Sequence, residues 1–588
     1  MSRSGFQIYL VGPNAKTANG HQTFRRIEHI LRELCARANA DKVRIFDLLF
    51  QILGWKRLRI GHDIGVPRFR QRVDRALMNT LEQEELDLRF LERLLLHNLL
   101  LKVSARTADD NITVLTALEF NVSQPSIDVI HALKSVLSED QVSMEASVLE
   151  SYGQDWTRFT QPAPLAVVFP RTTNEVADVV KFARARGIAL VPSGGRTGLS
   201  GGAVAANGEV VVSLDKLNAI YPVNKTDRTI QVGAGAITQA IQAAASEAGL
   251  FYPVDFASSG SSQIGGNIAT NAGGINVIRY GMTREWVAGL TVVTGTGEIL
   301  ELNRGLMKNN TGLDFRHLFI GSEGVLGFIT EATLKLCSPP KDPTVLVLGL
   351  ADMDAIMQVL QRIQATTPLL AYEFFSELAV SKVVEHAGVA RPFETQTPFY
   401  ALIEFERDSE ETEAMVFEAV EACMEEGWVL DAVMSQSVAQ ARALWRLRED
   451  ISETITRWTP YKNDISSTVS KVPELLSAVD DVVHQHYPDW EVCWYGHIGD
   501  GNLHLNILKP ETLDIADFKA RCGEVSIDIF RAIKALGGSV SAEHGVGTLK
   551  APYLEYTRSE SEIASMRAIK AIFDPDGIMN PGKIFSAD

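Results

Sequence analysis

Pro253-Val-Asp-Phe-Ala-Ser-Ser-Gly-Ser-Ser-Gln-Ile-Gly-Gly-Asn-Ile-Ala-Thr-Asn-Ala-Gly-Gly274 is crowded with small and hydroxyl-bearing residues. Gly265, Gly266, Ala269 and Ala272 let backbone lie close against a large flat ligand, and Ser262, Asn267, Thr270 and Asn271 offer it hydrogen bonds. A second stretch, Pro192-Ser-Gly-Gly-Arg-Thr-Gly-Leu-Ser-Gly-Gly202, follows a strand–helix–strand pattern. Leu165–Phe169 reads as an apolar strand, Thr173–Arg186 as a helix capped around Thr172 and closed by Gly187, and Ile188–Val191 as the next strand. The N–H groups of such a loop can cradle phosphate oxygens. It lacks the Gly-Lys-Ser/Thr of a Walker loop and the helix-opening Gly-x-Gly-x-x-Gly of a dinucleotide fold, and by itself it reads equally well as a flexible loop. A third stretch, Phe319-Ile-Gly-Ser-Glu-Gly-Val-Leu-Gly-Phe-Ile-Thr330, joins a turn to a strand. Three such stretches in one α+β segment argue for a single large phosphate-bearing cofactor.

Chemistry of another kind sits near the end of the chain, in Tyr495-Gly-His-Ile-Gly-Asp-Gly-Asn-Leu-His-Leu-Asn-Ile507. Gly499, Asp500 and Gly501 supply a tight turn between two strands. In the outgoing strand His504 and Asn506 fall on one face and Leu503 and Leu505 on the other, and the turn returns His497 beside His504. A lone strand histidine is usually a satisfied hydrogen-bonder. Two imidazoles followed by Ser541-Ala-Glu-His-Gly-Val-Gly547 instead suit zinc or another divalent ion, with Glu543 as third ligand, an open fourth position, and His544 as a titratable neighbour.

With 588 residues the chain exceeds one core, and two to four domains are expected. A net charge of −17 disfavours nucleic acid as a partner. Five scattered cysteines without a Cys-x-x-Cys suggest neither a disulfide framework nor a thiolate zinc site, and they fit a reducing compartment, read as cytoplasmic. No signal peptide is apparent, and Leu94–Leu101 is too short to span a bilayer. Residues 1–130 carry a net +4 and the remainder −21. The first 126 residues, Arg- and Leu-rich with helical periodicity from Phe46 to Val103 and a helix-like run Glu82–Leu101, read as a helical extension of unknown role or as a start-site artefact. After residue 339, Val345–Leu350, Pro398–Phe405 and Glu491–Tyr495 read as strands, with Ala351–Thr366 and Glu410–Glu426 as helices between them. That alternation suggests an antiparallel sheet with helices on one face.

The three glycine-rich stretches and the tail Phe573-Asp-Pro-Asp-Gly-Ile-Met-Asn-Pro-Gly-Lys-Ile-Phe585 resemble FAD-linked oxidases of the vanillyl-alcohol-oxidase type. The histidine hairpin and Ser541–Gly547 narrow this to the FAD-dependent dehydrogenases of D-2-hydroxy acids, those of D-2-hydroxyglutarate and D-lactate. The resemblance runs from about residue 127 to the end. It implies an α+β fold: a two-lobed FAD-binding domain over 127–338, a substrate- and metal-binding α+β domain over 339–535, and a C-terminal segment, 536–588, returning to the flavin.

By motif match, Ser193, Gly194, Gly195, Arg196, Thr197 and Gly198 would hold the pyrophosphate. Pro253, Ser262, Gly266, Asn267 and Thr270 would line the flavin, with Glu323, Ile329 and Asn580 completing the pocket. Arg196 stands where some relatives carry a histidine linked to FAD, and neither glycine-rich stretch holds His or Cys, so FAD is expected to be non-covalent. Arg448, Ser452 and Lys462 match carboxylate-binding positions, although relatives carry Thr at the Ser452 position and one residue more before the lysine. From spacing alone the Arg446/Arg448 pair reads as a solvated helix face.

The resemblance further implies oxidation of D-2-hydroxyglutarate to 2-oxoglutarate, with zinc or another divalent metal on His497, His504 and Glu543, His544 as base, and Asn506 placing the substrate. Two cations suit a dicarboxylate better than lactate. Electron-transfer flavoprotein or a quinone is the expected acceptor. A D-lactate or glycolate dehydrogenase, and a non-catalytic flavin-binding subunit of a larger oxidase, are the alternatives. The assembly state is open, a homodimer being one option.

Overall fold

The computed structural model describes residues 123–157 and 160–586. The expected helical extension, with the periodicity from Phe46 to Val103, lies up to residue 122 outside the described residues.

Three sheets follow one another along the chain. The first contains β1 (Val142–Ser143), β2 (Ala166–Val168), β3 (Leu190–Ser193) and β4 (Val210–Ser213) in the order β1-β2-β4-β3. β2 and β3 run parallel to β4, as a strand–helix–strand unit requires. The intervening helix α1 (Thr173–Arg184) is capped by the Thr172 hydroxyl, which accepts from the Glu175 N–H at 3.1 Å. Its Val176, Val179, Val180 and Ala183 recur at helical spacing and are buried on the sheet. The C-terminal segment returns to the edge of this sheet: Leu190 N–H donates to Ile578 C=O and Asn580 N–H to Leu190 C=O, each at 2.8 Å.

The second sheet holds β5 (Thr229–Gly233), β6 (Val287–Thr294), β7 (Ile299–Leu302) and β8 (Gly327–Lys335), antiparallel in the order β5-β8-β6-β7. The short helix α2 (Ile264–Thr270), cut from the opening glycine-rich stretch, buries Ile264 and Ile268 against it.

The third sheet is antiparallel throughout. Its strands are β9 (Pro343–Leu350), β10 (Leu369–Ser376), β11 (Phe399–Glu406), β12 (Val429–Met434), β13 (Tyr461–Ser466), β14 (Val492–Gly496) and β15 (Asn502–Ile507), ordered β12-β9-β11-β10-β14-β15-β13. Between them come α3 (Met353–Gln364), α4 (Glu377–Ala387), α5 (Glu410–Glu425), α6 (Val438–Glu449) and α7 (Val472–His486), followed by α8 (Ile515–Ala535). The sheet is not covered on one face only, as the alternation suggested. α3, α5, α7 and α8 pack on one side, and α4 and α6 on the other. The strands themselves require this: β10, Leu-Leu-Ala-Tyr-Glu-Phe-Phe-Ser, is buried at every position up to Phe375, so neither face can meet water. Among the described residues no helix is long and apolar enough to cross a membrane.

Candidate active site

The site grows from the alternation along β15. Leu503, Leu505 and Ile507 enter the apolar cluster on one face with Ile465 and Trp494. That leaves Asn502, His504 and Asn506 on the other. His504 stands opposite Tyr495 of β14 and Asp464 of β13, and Asn506 opposite Cys493 and Lys462. The turn closes through Gly501 at φ +91°, where a side chain would also collide with the Ser467 carbonyl. It returns His497 to 5.3 Å from His504, centroid to centroid.

The loop Ser541–Thr548 closes over this face. Glu543 Oε1 lies 3.6 Å from His497 Nε2, 3.7 Å from His504 Nε2 and 3.8 Å from His544 Nε2. These contacts are long for hydrogen bonds, and roughly 3–4 Å is the separation of two donors that share one zinc at about 2.1 Å. The ligand atoms of Asp464, His504, Glu543 and His544 also lie within 4.8 Å of one another. Asp464, however, is fully engaged. Its Oδ2 accepts the N–H groups of Ala542, Glu543 and His544 at 3.1, 2.8 and 2.9 Å, and its Oδ1 accepts from Asn502 Nδ2 at 2.8 Å. It pins the loop to the sheet, whereas His497 keeps Nε2 free toward Glu543, with Nδ1 held 2.7 Å from Glu373 Oε1. With Asp464 engaged, His497, His504, His544 and Glu543 remain as the side chains that could hold a divalent ion.

Electrostatics follow the same division. Burial disfavours the charged form of His497, but the Glu373 and Glu543 carboxylates outweigh it and lift the imidazole to about 10. Burial pushes His504 well below its ordinary value. For Glu543 burial is outweighed by His497, His544 and Arg448, which hold the carboxyl below the usual range. Burial lifts Asp500 in the turn to about 7.

The expected carboxylate-binding residues lie on the same face. Arg448, at the end of α6, is buried with its guanidinium 4.7 Å over the Tyr495 ring and its Nε 2.8 Å from Glu373 Oε2. It is not the solvated face that spacing alone suggests. Lys462 Nζ donates to Ser452 Oγ at 2.9 Å; the residue is exposed by surface area, and the protein packed around its amine acts to lower its pKa. Asn506 Nδ2 donates to the carbonyls of Cys493 and His504.

The glycine-rich stretches meet one another and the cluster. A side chain at Gly195 would collide with the Ser261 carbonyl, so the first two stretches touch. At Gly266 a Cβ would meet no atom within 4 Å, so the backbone there is open to close approach by a ligand. At Gly273 it would lie 3.1 Å from Glu543 Oε2, so this wall ends at the cluster. The loop bearing Glu543 is tied here too. Glu323 accepts the N–H groups of Val546 and Gly547, both at 2.7 Å, and Ser200 Oγ donates to His544 C=O at 3.0 Å. Burial lifts Glu323 to about 7.

Several expected cofactor residues have internal duties. Ser262 Oγ lies 2.8 Å from Thr238 Oγ1, to which Asn267 Nδ2 donates at 2.6 Å. Thr270 Oγ1 donates to Gly266 C=O, and the Pro253 carbonyl accepts from Asn276 Nδ2. Ile329 lies in the second sheet's core, and Asn580 Nδ2 donates to the carbonyls of Gly202 and Glu323. Ser193 is buried at the end of β3, Arg196 Nη1 donates to Gly194 C=O at 2.8 Å, Thr197 is half-buried and Gly198 exposed. Sequence reasoning missed Glu373 and Asp464. A lone carboxylate in the apolar run of β10 was the available signal for the first.

Residues 164–303 match the family described as FAD binding domain, and residues 339–584 the one described as FAD linked oxidases, C-terminal domain. The chain is 57% identical over 459 residues to a D-2-hydroxyglutarate dehydrogenase of Stutzerimonas stutzeri, covering 78% of this chain and 99% of that one. It is 34% identical over 462 residues to the mitochondrial D-2-hydroxyglutarate dehydrogenase of Arabidopsis thaliana, covering 77% and 80%. Among solved structures its fold is similar to substrate-bound p-cresol methylhydroxylase, with a TM-score of 0.64 at 16% identity over 79% of this chain and 98% of that one. A 4-ethylphenol oxidase from Gulosibacter chungangensis gives 0.62 at 17% over 79% and 99%.

Proposed function

The chain belongs to the D-2-hydroxyglutarate dehydrogenase family of FAD-linked oxidases, and we propose that it oxidises D-2-hydroxyglutarate to 2-oxoglutarate on the β13–β15 face. The observation that carries this reading is the convergence of His497, His504, His544 and Glu543 beside a buried arginine, next to Gly273 at the end of a glycine-rich stretch.

His497, His504 and Glu543 would hold a divalent ion, zinc by its donors, which when bound supplies Lewis acidity toward a hydroxyl and its neighbouring carboxylate. FAD, held non-covalently along the glycine-rich stretches, supplies the two-electron acceptor. His544, its Nδ1 3.6 Å from Asp464 Oδ2, would accept the hydroxyl proton at Nε2, and the bound flavin would supply the acceptor for the hydride of the substrate's Cα. Arg448 and Lys462, with Ser452, bind the far carboxylate, and Asn506 steers the substrate. Tyr495 and Arg448 are themselves buried at this end of the site. The oxidant for reduced FAD would be electron-transfer flavoprotein or a quinone, in a cytoplasmic enzyme. We read 127–338 as the FAD domain, 339–535 as the substrate domain and 536–588 as the segment joining them.

The test is anaerobic flavin bleaching with a panel of D- and L-2-hydroxy acids, with and without chelator. Bleaching by D-2-hydroxyglutarate in preference to D-lactate, abolished by chelator, is expected. Faster bleaching by D-lactate or glycolate would reassign the substrate, and no bleaching by any member would make this a non-catalytic flavin subunit.

A further inference from the structure

We infer that Glu373 is a positioning residue that joins the metal-binding and carboxylate-binding halves of the site, fixing His497 with one oxygen and Arg448 with the other. The inference rests on the functional reading above and goes beyond it, because nothing in that reading uses Glu373.

Three observations carry it. Glu373 is 1% exposed in the middle of the third sheet, and an acid so placed in an apolar strand requires partners. Its two oxygens have different partners: Oε1 lies 2.7 Å from His497 Nδ1, and Oε2 lies 2.8 Å from Arg448 Nε. Each contact also leaves the productive atoms of the partner free. A carboxylate can only accept, so the Nδ1–H of His497 is held toward Glu373, and the ring is oriented with Nε2 facing Glu543. Arg448 is ion-paired with Glu373 through Nε, without hydrogen-bond geometry, and its guanidinium lies over Tyr495, which leaves the terminal nitrogens as the pair that matches a carboxylate.

Backbone register explains how one residue reaches both. Phe374 and Phe375 of β10 pair with Gly496 and Tyr495 of β14, which brings Glu373 beside His497 where that strand leaves the sheet. Its neighbour Phe374 faces the opposite core, so the carboxylate shares the face of Phe375 and Tyr495, the one that α6 covers.

Glutamine is the informative replacement. Its amide has one accepting and one donating end, so it can satisfy His497 or Arg448 but not both. Full-length, FAD-loaded wild type, Glu373→Gln and Glu373→Asp are compared in two assays. Metal content is measured by mass spectrometry after dialysis against graded chelator. KM and kcat are measured for D-2-hydroxyglutarate and for D-lactate, which lacks the far carboxylate. Glu373→Gln should release its metal at roughly 10–100-fold lower chelator, the range seen for partners of metal-bound histidines. Its KM for D-2-hydroxyglutarate should rise about tenfold more than its KM for D-lactate. Glu373→Asp, with the carboxylate drawn back by one methylene, should fall between, and it carries the test if the glutamine variant fails to fold. Unchanged metal retention in the variants, or equal losses on both substrates, would overturn the inference and leave the functional reading standing. A wild type that bleaches with D-2-hydroxyglutarate yet carries no metal would overturn both the metal assignment and the link to it.

Discussion

The glycine-rich stretches and the histidine hairpin build their shares of the site by opposite means. Around Gly195 and Gly266 the useful feature is missing side chain: backbone packs on backbone at the first, and open space stands over the second. On β13–β15 the useful feature is side chains whose positions are set by antiparallel register, His504 between Tyr495 and Asp464, Asn506 between Cys493 and Lys462. The first region should therefore fail when atoms are added, and the second when atoms are removed.

That contrast is most sharply broken or upheld at His544. His544→Ala should lower kcat by about 10²–10⁴-fold, the usual worth of a general base, while the protein stays yellow and keeps its metal. Stopped-flow flavin reduction with parallel flavin and metal analysis would check this. Loss of flavin together with activity would show that the two regions do not act separately.

Asp464 comes next, because it is where side chain and backbone meet. Asp464→Ala leaves the N–H groups of Ala542, Glu543 and His544 without their partner, at about 1–3 kcal/mol each where they stay buried. Thermal unfolding should shift down, with activity lost alongside, and Asp464→Asn should recover part of both. An unshifted melting temperature would mean that the loop holds itself.

On the other side, Gly266→Ala adds one carbon where no protein atom stands within 4 Å. The fold should be spared while flavin affinity falls by about 10–100-fold, the range of a modest overpacking cost of 1–3 kcal/mol. Gly195→Ala meets the Ser261 carbonyl instead and should lower thermal stability even without flavin. Flavin-to-protein ratios against apo-protein melting curves separate the two.

How much of this was legible in the sequence follows from the same contrast. The hairpin reading placed His497 beside His504 because period-two alternation and a Gly-Asp-Gly turn are local facts. The glycine-rich stretches pointed to a ligand by composition, but composition does not show the internal hydrogen bonds that tie Ser262 and Asn267 to Thr238. Glu373 and Asp464 belong to no motif. Glu373 lies 124 residues from His497, and Asp464 78 to 80 residues from the loop it anchors. Only sheet order brings them in, and sheet order among seven strands is a product of the whole fold. Coverage of both sheet faces was legible in principle, since β10 shows no polar alternation apart from Glu373.

The smallest effect concerns the second anchor of that loop. Glu323 holds the N–H groups of Val546 and Gly547 from the cofactor side, as Asp464 holds the preceding residues from the substrate side. The two carboxylates differ in sign of response, because burial lifts Glu323 from 4.5 to about 7, whereas the neighbouring His544 and His504 help hold Asp464 below its ordinary value despite burial. A carboxyl whose folded pKa is raised contributes stability that is complete below about 4.5 and is lost as pH rises through about 7, since only the unfolded chain ionises freely over that window. The full lift corresponds to at most about 3 kcal/mol, and relaxation around a buried site tempers it, so a slope worth on the order of 1 kcal/mol is expected. Glu323→Gln cannot ionise. Its melting temperature should lie below wild type at pH 5, where the lost hydrogen bond shows, and should then fall less steeply than wild type between pH 5 and 7.5. Parallel slopes in the two proteins would mean that Glu323 is already ionised at pH 5, and that both ends of the loop are anchored by charge.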